Sequence, residues 1–576
     1  MSQFIQPKHV VVEVKRRRKL ITGEPYFAPG VPIALDTKGI VHVDAGDLAV
    51  VQTGRGRAHI ERRLGPATRI ENVLEGLLVE RGARVEFEPH TPPEPSLDGR
   101  VDLRELLSFT IDPETAKDYD DALSFRREAD GIRAWVHIAD VSYFVPAGSP
   151  LDLGAAQRGF STYVPGLVAP MLPHWLADDL CSLRPNEDRL TVTVEIPPHG
   201  EPQFYRSVIR SRARLTYAQA QRREGSPEIL EQFELADELA SELRRKRFAR
   251  GALQITTPEV AFSFDGGRVA NAWLESEPEA HMLVEELMIL ANEHVAAFLA
   301  SRNREALYRV HERPEPQAIS LLLAKLADLK IPTPPVPEHL TPQSAAALAG
   351  EISKRITDYS QKSGRGREAF PTLVLRALKQ ARYDPQNLGH TGLASTAYCH
   401  FTSPIRRYPD LVVHRALLRE IGQGDDPMPT DLHELAERTS SREREAAKIE
   451  YAADDICLAW LLNDRLHERG WDEPWEGEII GMIGGGLFIR FGEVFEGMLP
   501  ARKLPDDYFE LNATGTAMTG RRFGRAYRLG DPVSVRIESI ASNEGKVELA
   551  LSSQPVRRQP TPRKGGPQKK KGKKRR

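Results

Sequence analysis

Cysteine is scarce: Cys181, Cys399 and Cys457 are the three in 576 residues, far apart and in no Cys-x-x-Cys pair. An odd, scattered set excludes a disulfide scaffold, fits a reducing cytosol and argues against a zinc site. Long hydrophobic runs are missing too, and none approaches the roughly 18 residues of a membrane span. The N-terminal apolar run, Val10 to Val14, is broken by Glu13 and followed by Lys15–Lys19, the wrong order for a secretory signal. Common catalytic signatures are absent as well. No Gly-x-x-x-x-Gly-Lys-Ser/Thr loop occurs, His433-Glu434 is followed by Glu437 instead of a second histidine, and there is no nucleophile elbow. ATP-driven and zinc-protease chemistry lose their footing. The expected setting is a monomeric chain in the cytoplasm, with no membrane and no ATP.

Excess charge of one sign is also lacking, but only in the total. Lys plus Arg number 79 and Asp plus Glu 81. Residues 554–576 hold eleven of the basic residues and no acid; without them 68 basic face 81 acidic residues, a net of −13. An acidic body with a basic tail is not a simple electrostatic coat for nucleic acid. The tail is rich in Pro, Gly, Gln and Lys, and its composition predicts disorder. What remains is ordinary: 40% hydrophobic and 28% charged residues, enough for several cores.

Patterning divides the chain into segments 1–95, 96–470, 471–553 and 554–576. In the first, Val31–Val51 carries short β-rich pieces, Val41–Val43 and Leu48–Val51. A helix follows from Thr68, with Thr68 and Glu71 as a capping box, Ile70, Val73, Leu74, Leu77 and Leu78 as its apolar face, and Gly82 as its stop. Pro-rich His90–Pro95 reads as a linker. In the second segment strands such as Trp135–Ile138 and Leu190–Ile196 come first. Helical patterns come later: Ile229–Phe248, His281–Ala300, Pro316–Leu329, Pro371–Arg382, Pro409–Ile421 and Leu432–Leu466, with Ile331–Pro342 as a surface connection. Strands then helices predict an α+β multidomain fold. Short strands, glycines and the Gly530-Asp531 turn make 474–553 a small barrel.

Chemistry concentrates in Ile111–Asp121, where Asp112, Asp118, Asp120 and Asp121 fall within ten residues. Converging carboxylates repel one another unless a cation compensates. A hard cation such as Mg²⁺ would make this a metal-assisted phosphoesterase. An EF-hand is excluded, because Lys117 and Leu123 occupy its Gly and Glu positions. The alternative is a solvated acidic loop. In Thr402–Asp410, Arg406 and Arg407 lie on a Pro-stiffened loop before a helix. They are suited to phosphate oxygens or, alternatively, to pairing with Asp410. His414 reads as a hydrogen-bonded helix residue. Glu285 and Asn292 share one helix face, which either borders a site or is plain amphipathic patterning.

These residues resemble the ribonuclease II / ribonuclease R family, the RNB-domain exoribonucleases. The resemblance runs over about 100–465 and includes Asp112–Asp121, Tyr163–Gly166, Pro170–Pro173, Asp179–Glu187, Tyr308–His311 and Phe401–Asp410. It implies a hydrolytic, processive 3′→5′ exoribonuclease acting on single-stranded RNA with Mg²⁺, or Mn²⁺ in its place, and releasing nucleoside 5′-monophosphates. By position, Asp112, Asp118 and Asp121 resemble metal ligands and Asp120 the carboxylate most critical for chemistry. Arg406 resembles the scissile-phosphate arginine, and Tyr163 the aromatic on the 3′-terminal base. Glu285 and Glu450 match positions at the terminal nucleotide, with Glu443 and Glu445 as neighbours of the latter. A second aromatic clamp has no match in Ala252–Thr257.

The segment 471–553 resembles an S1-type OB-fold barrel, in which Phe488 and Arg490 form a stacking face, unless Phe488 fills the barrel core. The N-terminal region departs from the family. A cold-shock pair needs at least ~130 residues, so a small nucleic-acid-binding module, OB-like or winged-helix-like, is expected over 1–95. A catalytically silent RNA-binding regulator on the same scaffold is the alternative function; the intact aspartates and Arg406 favour the enzyme.

The tail yields a first prediction. Removing residues 554–576 should flatten the dependence of log RNA affinity on log salt by about 0.7 per lost phosphate contact, with kcat nearly unchanged. An unchanged slope in a filter-binding titration would make the tail a bystander.

Overall fold

The computed structural model describes residues 9–17, 20–36, 41–53, 56–83, 87, 90–255, 259–275, 278–505 and 507–552. The tail expected at 554–576 lies outside the described residues. Five strands, His9–Arg17, Leu20–Pro25, Ile33–Asp36, Asp47–Gln52 and Ala58–Pro66, close a barrel in which the first strand pairs with both the second and the fourth. Alternation places Val12, Val14, Ala49 and Val51 inside it. Of the two expectations for this region, the OB-like one matches. Val41–Val43 is not a strand but part of the connection into the fourth.

The helix after the barrel spans Ile70–Glu80. The expected Thr68–Glu71 capping box does not form; Arg69 is the N-cap residue and gives no side-chain cap. The first helical N–H, on Ile70, instead donates to the Gly267 carbonyl 2.9 Å away in a distant hairpin, so a tertiary contact replaces the local cap. Gly82 does stop the helix. It takes φ +79°, and the N–H groups of Gly82 and Ala83 donate to the carbonyls of Val79 and Leu78.

The central unit is built on a seven-stranded sheet in the order 213–216, 109–112, 121–128, 131–139, 188–196, 203–210, 101–102. Both edge strands are parallel to their neighbours and the interior pairs are antiparallel. The helices Pro227–Ala249 and Pro278–Ser301 cover one face through Phe233, Leu283 and Leu287 against Phe109, Phe125 and Val136. Tyr408–Glu420 contributes Leu411 and Val412 to a second core with Ala122, Ala139 and Ile209.

One helical expectation needs correction. The pattern beginning at Pro371 forms a shorter helix, Ala369–Ala377, because Arg382–Asp384 pairs as a strand with Tyr308–Val310. The helix Pro342–Ser363 was not anticipated, although Thr341 caps it, Pro342 begins it and Gly364 ends it in the left-handed region.

A 38-residue helix spans Leu432–Arg469. Its Ile456, Cys457 and Leu461 share one core with Leu74 and Leu77 of the N-terminal helix and with Ile479, Leu487 and Phe491 of the C-terminal barrel. That barrel closes from strands 475–483, 486–491, 495–500, 532–541 and 546–551; a three-stranded sheet, 509–528, is inserted before its fourth strand. The two barrels touch where Asn543 Nδ2 donates to the Tyr26 carbonyl. Among the described residues no helix is long and apolar enough to cross a membrane.

The turn out of strand 131–139 generates a stability prediction. Burial alone would raise the Asp140 carboxyl, but Arg206 and Arg100 outweigh it and hold it below the usual range. Arg100 donates at 2.7 Å, and Arg206 lies 2.9 Å away as an ion pair out of hydrogen-bond alignment. A depressed carboxyl contributes stability above its unfolded pKa and loses it as pH falls through the folded one. Asp140→Ala should therefore lower the unfolding free energy at pH 7 by about 3–5 kcal/mol, because Arg100 is left buried without its carboxylate. The deficit should shrink in acid. A variant as stable as the parent at pH 7 would sink the assignment.

Candidate active site

Strand Phe109–Asp112 and its antiparallel neighbour Asp121–Glu128 are joined by residues 113–120. The acidic segment is therefore a connection at one end of the sheet; Pro113, Glu114, Thr115 and Lys117 are exposed, but its four aspartates are buried or half-buried. Asp112 closes one strand, Asp121 opens the next, and Asp112 and Asp120 are buried. Ser182 fixes the connection: its hydroxyl donates to the Lys117 carbonyl at 2.6 Å and accepts from the Tyr119 N–H at 3.1 Å. The Leu183 N–H adds a bond to the Tyr119 carbonyl. Hence a segment more than sixty residues away in sequence sets the shape of the acidic loop.

Asp120 is held from two sides. Its backbone carbonyl accepts from Ala139 N–H, and its Oδ1 accepts from the Ile405 N–H at 2.8 Å. Its Oδ2 lies 3.4 Å from Arg406 Nε, an ion pair too long and poorly aligned to be a hydrogen bond. The two arginines of the 402–407 loop have separate tasks. Arg407 makes a two-pronged contact with Asp410, at 2.9 and 2.7 Å, and Asp410 also accepts from Ser403 N–H. Arg406 donates through Nη2 to Ser403 Oγ at 3.0 Å and faces Asp120. Asn292, which might have bordered the site, is buried and anchors this loop, accepting from Phe401 N–H at 2.8 Å. His414 donates through Nε2 to the Phe401 carbonyl, 2.8 Å away, as a structural helix residue.

Tyr163 sits on the hairpin 162–169 with its hydroxyl donating to Asp118 and its N–H donating to Glu450 Oε1 at 2.8 Å. Glu450 is thus the acid of the long helix at this site, since Glu443 pairs with Arg309 and Glu445 with Arg442. Glu285 is not drawn into the same web. Its carboxylate is 52% exposed and accepts from Arg247, one helical turn beyond His281. Phe488 lies on the outer face of the C-terminal barrel, 38% exposed, so it does not fill the core. Its strand neighbour Arg490 is engaged by Glu368 and Glu496. The region 252–255 supplies no aromatic ring; 256–258 lie outside the described residues.

The electrostatics are those of an uncompensated acidic centre. Burial, and then the charge of Asp121, push the Asp112 carboxyl up to about 7. Burial likewise pushes Asp121 up to about 6, against the pull of Arg406 and Arg407. Asp120 is raised well above the usual range by burial, with Arg406 opposing. Asp112 Oδ2 and Asp120 Oδ2 are buried with no hydrogen-bond donor. Buried carboxylate oxygens without donors are destabilising unless a cation or proton meets them. They therefore fit a divalent cation, although among the described residues no three His, Cys, Asp or Glu side chains are already grouped as a ligand set.

Sequence reasoning passed over Tyr217 and His281. Their rings stack at 3.8 Å, 10° from parallel, and after burial the nearby Asp121 and Asp112 raise the Tyr217 hydroxyl further. Two rings 64 residues apart leave no spacing signal.

The RNB domain model matches residues 100–422. Ribonuclease R of Escherichia coli K12 is 36% identical over 487 residues, covering 80% of this chain and 58% of that protein. Ribonuclease R of Aquifex aeolicus is 37% identical over 488 residues, covering 81% of this chain and 67% of that one. The chain thus spans somewhat more than half the length of the first of these relatives. Among solved structures, Mycoplasma genitalium RNase R in complex with ribose-methylated single-stranded RNA superimposes with a TM-score of 0.84 at 24% identity, covering 95% of this chain and 90% of that one.

Because the acidic centre lacks donors, cation binding should be measurable apart from any reaction. Added Mg²⁺ should raise the unfolding free energy of metal-stripped protein by about 2.7 kcal/mol at one hundred times its Kd. Asp112→Asn should reduce that increment. A parent indifferent to Mg²⁺, and to Mn²⁺, would rule out the cation reading.

Proposed function

The chain belongs to the RNB-domain family, and from that membership we propose that it is a processive, hydrolytic 3′→5′ exoribonuclease. Its substrate is single-stranded RNA and its products are nucleoside 5′-monophosphates. It works without ATP, as a single chain in the cytoplasm. The observation that carries this reading is the pair of buried, donorless oxygens on Asp112 and Asp120 beside Arg406.

Asp112, Asp118, Asp120 and Asp121 are the residues that would hold Mg²⁺, or Mn²⁺ in its place. When bound, such an ion supplies Lewis-acid stabilisation of phosphoryl oxygens and acidifies water. The rest falls to the chain. Arg406 has five N–H donors, of which one is turned to Ser403, so others remain for the scissile phosphate. Its planar fork matches two phosphate oxygens. Tyr163 offers a ring to the 3′-terminal base, and Glu450 fixes its backbone. Glu285 serves the terminal nucleotide from the helix face it shares with His281. Phe488 extends stacking onto the C-terminal barrel.

Two variants test the assignment together. Asp120→Asn should abolish hydrolysis of 5′-labelled oligoadenylate while binding stays within a few-fold, because binding is spread over stacking and phosphate contacts. Arg406→Ala should lower kcat on the order of 10²-fold or more, and Arg406→Lys should not restore it, since a point charge does not replace the fork. Near-parental turnover in Asp120→Asn at saturating Mg²⁺ would refute the nuclease reading.

A further inference from the structure

The most exposed aromatic side chains of the C-terminal unit are not on its barrel. Phe523 is 73% and Tyr508 67% exposed; Tyr508 immediately precedes, and Phe523 lies in a turn of, the three-stranded sheet inserted between barrel strands 495–500 and 532–541. Residues 520–528 carry Arg521, Arg522, Arg525 and Arg528 and no acid, in a body whose residues 1–553 sum to −13. All four arginines are exposed. An acidic body repels a polyanion, so contact with one must be focused where basic residues cluster.

The presentation of these groups is built, not incidental. Strands 517–520 and 526–528 pair, and the turn between them folds onto Asp507. The Asp507 carboxylate accepts from the N–H groups of Arg522 and Phe523 at 2.9 Å. Gly520 packs so tightly on Asp507 that a Cβ there would fall 2.3 Å from Oδ2. Arg521 pairs with Glu510 and donates its N–H to the Tyr508 carbonyl, and its guanidinium lies 5.2 Å from the centre of the Tyr508 ring. The sheet is braced on the catalytic unit through Asn512 and Thr514, which both donate to Asp328. Phe523 is thereby held in a fixed turn with most of its side chain exposed.

We propose that this turn, with Tyr508, is a second RNA-docking platform, distinct from the Phe488 face and from the catalytic centre. Single-stranded RNA stacks bases on Phe523 and Tyr508 while Arg521, Arg522 and Arg525 meet its phosphates. Exposed rings interleaved with arginines suit any base sequence, because every base has a π-face. Pre-organisation by Asp507 lowers the entropy lost on binding. The assignment rests on the RNA-degrading reading and adds to it a hold on the substrate strand away from the reacting end.

The test uses the full chain in EDTA, with 5′-fluorescein oligoadenylates of about 30 and about six nucleotides, the latter near the lower limit of a single-strand site. Phe523→Ala combined with Arg522→Gln should weaken binding of the long RNA about tenfold, the effect of losing one stacked base and one phosphate contact. Its log affinity against log salt should flatten by about 0.7. Affinity for the short RNA, and its turnover once Mg²⁺ is restored, should stay within about twofold, as expected for a change confined to exposed positions. Unchanged long-RNA affinity, or equal losses for both lengths, would overturn the platform. A parent that neither binds nor degrades either RNA would refute the nuclease reading instead. A second measurement needs no variant: long RNA carrying 4-thiouridine should photocrosslink to the peptide containing Tyr508 or Phe523. Crosslinks confined to other peptides would also overturn the proposal.

Discussion

Burying carboxylates whose oxygens meet no donor is the constraint around which this architecture is arranged. A lone acid in such a place takes up a proton or rearranges into solvent. Here two of them cannot rearrange, because Asp112 ends a strand and Asp120 is held by backbone on both sides. Asp120 receives the Ile405 N–H on one oxygen and faces Arg406 with the other. The repulsion is stored in a rigid frame, and a cation is the species that relieves it.

The frame consists of small polar contacts between segments remote in sequence. Ser182 shapes the acidic loop, Asn292 seats Phe401, and Asp410 takes up Arg407 and Ser403 so that Arg406 alone faces the centre. Each is buried or nearly so, where a hydrogen bond is directional and an unmade one is destabilising. Such contacts specify geometry more than they add stability. The same principle recurs in the Asp140 network, where buried Arg100 and half-buried Arg206 are matched to a single carboxylate.

The long helix Leu432–Arg469 links this centre to its surroundings. One stretch carries Glu450 to the Tyr163 hairpin; the next, with Ile456 and Leu461, packs the N-terminal helix and the C-terminal barrel into a common core. The barrels are thus joined to the central unit by apolar burial, the strongest non-directional term available. Surfaces that carry aromatic and basic groups, the Phe488 face and the Phe523 turn, are attached through that shared core.

Much of this was legible in the sequence. The four aspartates within ten residues, the paired arginines before Pro409, the strands-then-helices order and the glycine-punctuated C-terminal strands are local patterns, and local patterns follow from spacing and backbone chemistry. The helix Pro342–Ser363 was legible too, through Thr341, Pro342 and Gly364, and was overlooked. Other features depended on contacts that no spacing encodes. The capping box at Thr68 gave way to the Gly267 carbonyl, because a partner from another element satisfied the same N–H. Glu450 was separated from Glu443 and Glu445, and Arg406 from Arg407, only by which neighbour each met in space. Residue type and periodicity determine what a segment can form; which of two like charges turns toward a site is decided by the partners that folding brings within hydrogen-bond reach.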